Sequence, residues 1–204
     1  MNIILEKDEQ RMKSICVYCG SADAIHPDYK LAGRELGRTL AESGIRLIFG
    51  GGKTGIMGAV ADGVLEAGGE VFGVIVTSMN TPALAHMGLT RLEVTPTIHE
   101  RKARMYALAD GYIAMPGGFG TFDELFETLT WSQIGVHEKP IGLLNTRGYF
   151  GPLMAMILHA EKEGFIFPEH RELLCMADTP LELLSCMGQH RQPVDAVKRW
   201  MRQD

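Results

Sequence analysis

Two residues in adjoining motifs have the types and spacing to do chemistry. Arg101 lies in Thr97-Ile-His-Glu-Arg-Lys-Ala-Arg104, and Glu124 ends the stretch Asp110-Gly-Tyr-Ile-Ala-Met-Pro-Gly-Gly-Phe-Gly-Thr-Phe-Asp-Glu124. The second stretch reads as a short buried strand, Tyr112 to Met115, stopped by Pro116 and followed by a glycine turn. Gly117, Gly118 and Gly120 let the backbone return sharply, and a helix pattern begins at Thr121. Phe122, Leu125, Phe126, Leu129 and Trp131 supply its buried face. Such a junction presents orphan N–H groups and the positive end of a helix dipole, a site suited to an anion. Glu124 follows Thr121 by three residues and lies near the face of that pocket. An acid there also has a structural use, improving the helix dipole by about 0.3–1 kcal/mol. The glycine turn beside it favours the chemical use.

Arg101, Lys102 and Arg104 crowd the first turns of a helix expected from His99 to Ala109, where the dipole disfavours positive charge. Glu93 or Glu100 must compensate them, or an anionic ligand or active-site carboxylate must. His99 is expected to orient this turn. The two motifs together point to a nucleoside 5′-monophosphate, its phosphate at Gly117–Thr121 and its ribose toward Glu124. Cleavage of a ribosyl C–N bond passes through an oxocarbenium-like state, which a carboxylate stabilises and for which it activates water. Arg101 could orient Glu124, bind phosphate or stabilise the departing base; the sequence does not choose.

Stepping along the chain, a first strand near 14–19 runs into Gly20-Ser21, and Pro27 opens a helix to about Ser43, with Leu31, Leu36 and Leu40 at helical spacing. Gly44 supplies its stop. A second strand, Ile45 to Phe49, ends in Gly50-Gly-Gly-Lys-Thr-Gly-Ile-Met-Gly58 and a helix bearing Val60, Val64 and Leu65, closed by Gly68-Gly69. A third strand spans Val71 to Val76, a loop Thr77 to Thr90, and a weaker strand Arg91 to Thr95. Lys139 to Asn145 is a late strand, and Gly151-Pro152 begins a helix to about Glu163. The remainder, with Pro168 and Pro180 as helix starters, reads as helix-rich and peripheral. Strands alternating with helices imply an α/β fold, a doubly wound Rossmann-like three-layer sandwich with a mostly parallel sheet. Residues 1–13 form a lead-in and 14–204 a single domain. Ligands in such folds bind at the carboxyl ends of strands, where Gly20-Ser21, Gly50 to Gly58 and Pro116 to Thr121 all fall.

Gly50 to Gly55 formally matches GxGxxG, and the backbone of Gly51 and Gly52 could line a nucleotide, as could Ser21. Close helix–strand packing is the alternative. The motif sits in the second strand–helix unit, and Val76-Thr77-Ser78 has no acid for a ribose, which disfavours a dinucleotide oxidoreductase. Gly52-Lys-Thr54 resembles a P-loop, but the spacing needs glycine where Leu47 stands inside a strand. Cys16-Val-Tyr-Cys19 lies on a strand, where residues three apart face opposite ways, so it is neither metal site nor redox pair. Cys175 and Cys186 have no partner spacing and read as small core residues.

The 204 residues are 46% hydrophobic and carry a net charge of −5. That charge, with no basic stripe, argues against a nucleic-acid surface. The acidic start is not a signal peptide and no apolar run approaches a membrane span, so a cytoplasmic protein without membrane association is expected.

Pro116-Gly-Gly-Phe-Gly-Thr-Phe-Asp-Glu124 fits PGGxGTxxE, and the chain resembles the LOG family of phosphoribohydrolases, the cytokinin-activating "lonely guy" type. Gly50-Gly-Gly-Lys-Thr-Gly-Ile-Met-Gly58 is similar to its GGGxxGLMG segment and Ile98-His-Glu-Arg-Lys102 to its MHxRK segment. Thr130-Trp131 and Lys139 to Asn145 also have counterparts, so the resemblance runs from about Ser14 to the last helix. It implies hydrolysis of a nucleoside 5′-monophosphate, AMP or an N6-modified AMP, to free base and ribose 5-phosphate, without metal or organic cofactor. It implies Arg101 and Glu124 as the catalytic pair, with Lys102, Gly117, Gly118, Phe119, Gly120, Thr121, Phe122, Asp123 and Thr130 lining the substrate. It further implies a homodimer with sites near the interface. Relatives once labelled lysine decarboxylases share the pattern, but the sequence shows no pyridoxal phosphate site. Ala83 stands where many members carry a Glu contact, which leaves base selectivity open. Phe122-Asp123 replaces the commoner Leu-Glu, and the third strand ends Val-Ile-Val-Thr rather than Val-Ile-Pro. A nucleotide or cofactor carrier of the same fold, without turnover, is the competing expectation; it has no evident need of Arg101 with Glu124.

Overall fold

The computed structural model describes residues 12–193. In chain order they form β1 (Ser14–Tyr18), α1 (Pro27–Glu42), β2 (Arg46–Phe49), α2 (Gly55–Glu66) and β3 (Val71–Val76). Next come β4 (Arg91–Thr95), α3 (Ile98–Leu108), β5 (Gly111–Ala114), α4 (Phe119–Gln133) and β6 (Ile141–Leu144). The last elements are α5 (Gly151–Lys162), α6 (Pro168–Arg171), β7 (Leu174–Ala177) and α7 (Pro180–Gln189).

The strands make one seven-stranded sheet in the order β4-β3-β2-β1-β5-β6-β7. Every pairing is parallel, so the sheet is wholly rather than mostly so. Parallel strands need both faces covered, and β1, β5 and β6 are buried along their full length. On one face Ile15, Val17 and Leu47 meet Leu36 and Leu40 of α1, Val60 and Val64 of α2, and Leu183 of α7. On the other, Cys16, Tyr18 and Ile48 meet Met105 of α3 and Leu125 of α4, with Phe150 just before α5. The result is a three-layer α/β sandwich. Cys16 packs on one side of the sheet and Cys19 on the other, as the alternation of side chains requires.

Strand order reverses between β1 and β5, whose carboxyl ends lie side by side with Tyr18 opposite Ala114. Gly20, just past β1, ties the three glycine junctions together. Its N–H donates to Pro116 O (3.0 Å), while its carbonyl accepts from Ile56 N (2.9 Å) and Met57 N (3.3 Å).

Several expectations from the sequence change. α4 begins at Phe119 rather than Thr121, and none of Gly117, Gly118 and Gly120 has positive φ, so the junction is no left-handed turn. Phe126, assigned to a buried helix face, is exposed, as is Leu31 among the helically spaced leucines of α1. The C-terminal part contains a seventh strand, β7, and α7 is not peripheral, since Leu183 and Met187 lie over Gly142 of β6. Cys175 is buried, but Cys186 is exposed rather than a core residue. Residues 1–11 of the expected lead-in lie outside the described residues. Lys13 already joins the amino-terminal end of the sheet at its central strand, donating from its N–H to Asp110 (2.9 Å) and accepting from Arg46 N.

Candidate active site

Arg101 occupies the first turns of α3. Thr97 caps that helix, its hydroxyl accepting from Glu100 N and donating to Glu100 Oε1. His99, expected to orient the turn, is exposed, and Thr97 does that work. The Arg101 side chain runs under the ends of β2 and β3. Its Nε donates to Val74 O at 2.9 Å and its Nη1 to Glu124 Oε1 at 3.0 Å. Gly50 makes this path open: a β-carbon there would lie 1.9 Å from Arg101 Nη2. The first glycine of the triplet therefore serves the arginine, a role its place in GxGxxG does not show.

Each cation that crowds the start of α3 finds a carboxylate. Arg104 meets Glu93 (2.6 Å), and Lys102 meets Asp123 and Glu127 (3.0 Å each). Burial works against the charge of Lys102, but its bonds to Glu127 and Asp123 outweigh this and raise its pKa. Both side chains of the Arg101–Glu124 pair are only 13% exposed. Burial pushes Glu124 above the usual carboxylate range; the charge and hydrogen bond of Arg101 oppose that shift without cancelling it. Glu124 is thus a strengthened base held in a fixed direction. With α4 starting at Phe119, Glu124 sits in its second turn, where the dipole effect has faded, so the purely structural use of this acid weakens. Thr128, one turn on, donates to Glu124 O (2.8 Å) and lies 3.2 Å from Tyr18 Oη, anchoring α4 to the end of β1.

In the chain the glycine junction lies between the two members of this pair, just before Glu124. Gly117 packs on Thr121 and Gly20: a β-carbon would come within 2.1 Å of Thr121 Oγ1 and 2.8 Å of Gly20 N. Gly118 caps α4 in extended conformation, and β-carbons at Gly118 and Gly120 would meet nothing within 4 Å. The first turn of α4 thereby keeps an unobstructed face with N–H groups that have no partner inside the helix. Thr121 is buried beneath it, Phe119 is 95% exposed, and Phe122 stacks on Tyr149.

Other residues singled out by sequence fall elsewhere. Gly51 is buried with φ +74°, and its carbonyl accepts from His86 N, while Gly52 bridges to Ala85. Lys53 also holds this loop, its N–H donating to Leu84 O and its Nζ to Pro82 O. Ala83 is exposed on the same loop. Ser21 is exposed, its carbonyl accepting from Thr54 Oγ1 (2.8 Å). Thr130 is exposed further along α4 and donates to Phe126 O. A concavity of about 750 Å³ between β7 and α7 includes Glu172, Cys175 and His190 but neither Arg101 nor Glu124. The Arg101–Glu124 pair and the open helix N-terminus instead make the end of the sheet at the β1–β5 switch the candidate site. Sequence reasoning missed Gly50, Val74 and Tyr149. A run of three glycines at a strand end is the one signal that could have found Gly50; a backbone carbonyl such as that of Val74 leaves none.

A family model described as "Possible lysine decarboxylase" matches residues 57–187. The cytokinin riboside 5'-monophosphate phosphoribohydrolase LOG of Oryza sativa subsp. japonica is 43% identical over 174 residues, 85% of this chain and 72% of that protein. The chain belongs to the LOG family. Another member, the cytokinin riboside 5'-monophosphate phosphoribohydrolase LOG7 of Arabidopsis thaliana, is 38% identical over 193 residues, 95% of this chain and 89% of its own. Solved structures extend the LOG-family likeness in fold alone. The molybdenum cofactor carrier protein of Chlamydomonas reinhardtii matches with a TM-score of 0.64 at 23% identity, over 95% of this chain and 100% of that one. The molybdenum cofactor binding protein of Rippkaea orientalis matches at 0.65 with 24% identity, over 86% and 97%.

Proposed function

We propose that this protein hydrolyses the N-glycosidic bond of a nucleoside 5′-monophosphate, AMP or an N6-modified AMP, to free base and ribose 5-phosphate. The observation that carries the reading is the buried Arg101–Glu124 pair at 3.0 Å, just along the chain from the open N-terminus of α4. The relatives' names, which specify this reaction on cytokinin riboside monophosphates, support it.

The phosphate binds the Gly118–Thr121 N–H groups, and the ribose extends toward Glu124. As the C–N bond lengthens, positive charge grows on the ribose, and the Glu124 carboxylate stabilises it and takes a proton from the attacking water. Arg101, bound to Val74 O and to one oxygen of Glu124, fixes the carboxylate's direction and leaves its other oxygen for the substrate. Lys102, Phe119, Phe122 and Asp123 border the substrate. The bonds that keep Lys102 cationic suit a phosphate contact and oppose a Schiff-base role, which requires a neutral amine.

Incubating purified protein with AMP and isopentenyl-AMP and following free base by chromatography tests the reading. Base release is expected from at least one; nucleotide binding without release from either makes the protein a carrier. The proposal includes a homodimer, for which Phe126, Ile134 and Val136, exposed on and just after α4, offer apolar surface. Sedimentation equilibrium decides that point. It also includes a cytoplasmic location, to be checked by cell fractionation; no helix among the described residues is long and apolar enough to cross a membrane.

A further inference from the structure

The peptide between Gly117 and Gly118 has glycine on both sides, so its plane can rotate with little steric resistance. Its orientation matters, because the carbonyl of Gly117 and the N–H of Gly118 belong to the same trans peptide and point in opposite directions. Only one orientation turns the N–H toward an anion at the start of α4. In the structure Tyr149, from the turn after β6, donates its hydroxyl to Gly117 O at 2.5 Å.

We propose that Tyr149 is a positioning residue that holds the Gly117 carbonyl and thereby aims the Gly118 N–H at the substrate's phosphate. The inference rests on the phosphate site proposed above. The tyrosine is itself firmly placed. Its ring stacks on Phe122 (6.5 Å, 11°) and meets Tyr29 and Phe150 edge-on (6.2 and 5.2 Å). The turn that carries it is fixed by Asn145 Oδ1, which accepts from Phe150 N, and by Arg147, paired to Asp28 at 2.7 Å. Arg147 holds φ +57°, a conformation that a non-glycine residue keeps only where its surroundings impose it. A hydroxyl bound to the carbonyl also polarises the peptide, which makes the opposite N–H a stronger donor. The phosphate contact is the same in ground and transition states, so its loss is expected in KM rather than kcat.

The test compares Tyr149→Phe, which removes the hydroxyl and keeps the ring, with Tyr149→Leu, which removes both. Tyr149→Phe is expected to raise KM for AMP roughly 10-fold, the scale of one lost hydrogen bond, with kcat within about 2-fold. The inhibition constant of ribose 5-phosphate should rise in parallel, while that of adenosine, which lacks the phosphate, stays unchanged. Wild-type constants in Tyr149→Phe overturn the proposal even if Tyr149→Leu is impaired, since the ring alone would then matter. An equal weakening of inhibition by adenosine overturns it too. Titrating ¹⁵N-labelled wild-type protein with ribose 5-phosphate gives a readout independent of the variants: the Gly118 amide resonance is expected to move, and its staying in place counts against the clamp. If the wild type releases no base from AMP, the proposed reaction fails, while this titration still judges the clamp.

Discussion

The two glycine-rich junctions look alike in sequence, yet the fold uses them in opposite ways. Both follow a strand and open a helix. At Gly50–Gly55 the helix N-terminus is already satisfied by protein: Gly55 N donates to Asp23 Oδ1 (3.0 Å), and Ile56 and Met57 donate to Gly20 O. At Pro116–Thr121 the cap is Gly118, which has no side chain to offer, and space stands open above it. One junction is a structural clasp beneath a loop and an arginine. The other is left unfinished, and an unfinished helix N-terminus at a strand switch is where an anion can bind. The difference lies in what neighbouring segments donate, not in the number of glycines.

The sharpest way to test this division is to remove chemistry from one junction and leave the other intact. Glu124→Gln keeps the shape of the site but removes its base, and base release from AMP should fall on the order of 10²–10⁴-fold with nucleotide binding retained. An unchanged rate would refute the role given to Glu124 even if the reaction itself is confirmed.

A paired substitution comes next. Gly117→Ala places a β-carbon 2.8 Å from Gly20 N, so the anion junction must shift, and kcat/KM for AMP should drop about 10²-fold. Gly55→Ala forces a side chain onto φ +61° with backbone 2.6 Å away, and it should cost about 1–3 kcal/mol of stability in urea unfolding. Its KM in the folded fraction should stay near wild type. If Gly55→Ala instead raised KM as much as Gly117→Ala, the two junctions would share the ligand.

A smaller effect concerns pH. Glu124 must be ionised to act, and burial raises its pKa, so kcat/KM should fall on the acid side through a value above the ordinary carboxylate range. Arg101 opposes that shift, so the residual activity of Arg101→Met should lose its acid limb at still higher pH. A limb that does not move would separate the two groups functionally. The smallest change is expected from Asp23→Ala, which uncaps α2 and releases Lys30; it should lower the melting temperature measurably and leave KM unaltered.

Much of the fold was legible because its signals are local. Buried parallel strands such as Val71–Val76 are apolar runs, and Pro27, Gly151-Pro152 and Pro180 mark helix starts by the fixed φ of proline. β7 was not legible. Four residues, Leu174-Cys-Met-Ala177, become a strand only because β6 offers them an edge, and propensity over so short a run decides nothing. Phe126 illustrates a related limit. Helical spacing puts it with Phe122 and Leu129, but the buried face of α4 runs through Thr121, Leu125 and Thr128, and Phe126 is left exposed.

By itself, the sequence determined that the chain alternates strands with helices, that glycines crowd the strand ends, and that Arg101 and Glu124 stand in motifs where their types could do chemistry. These follow from residue type and short-range spacing, which bonding geometry translates directly into local shape. Tertiary structure alone decided that the two meet at 3.0 Å, that Gly50 clears the path of the arginine, and that Tyr149 grips Gly117 from 32 residues away. Those contacts depend on strand order and on the crossing of distant segments. The same order gives one glycine junction a cap and leaves the other open, and no local pattern records which.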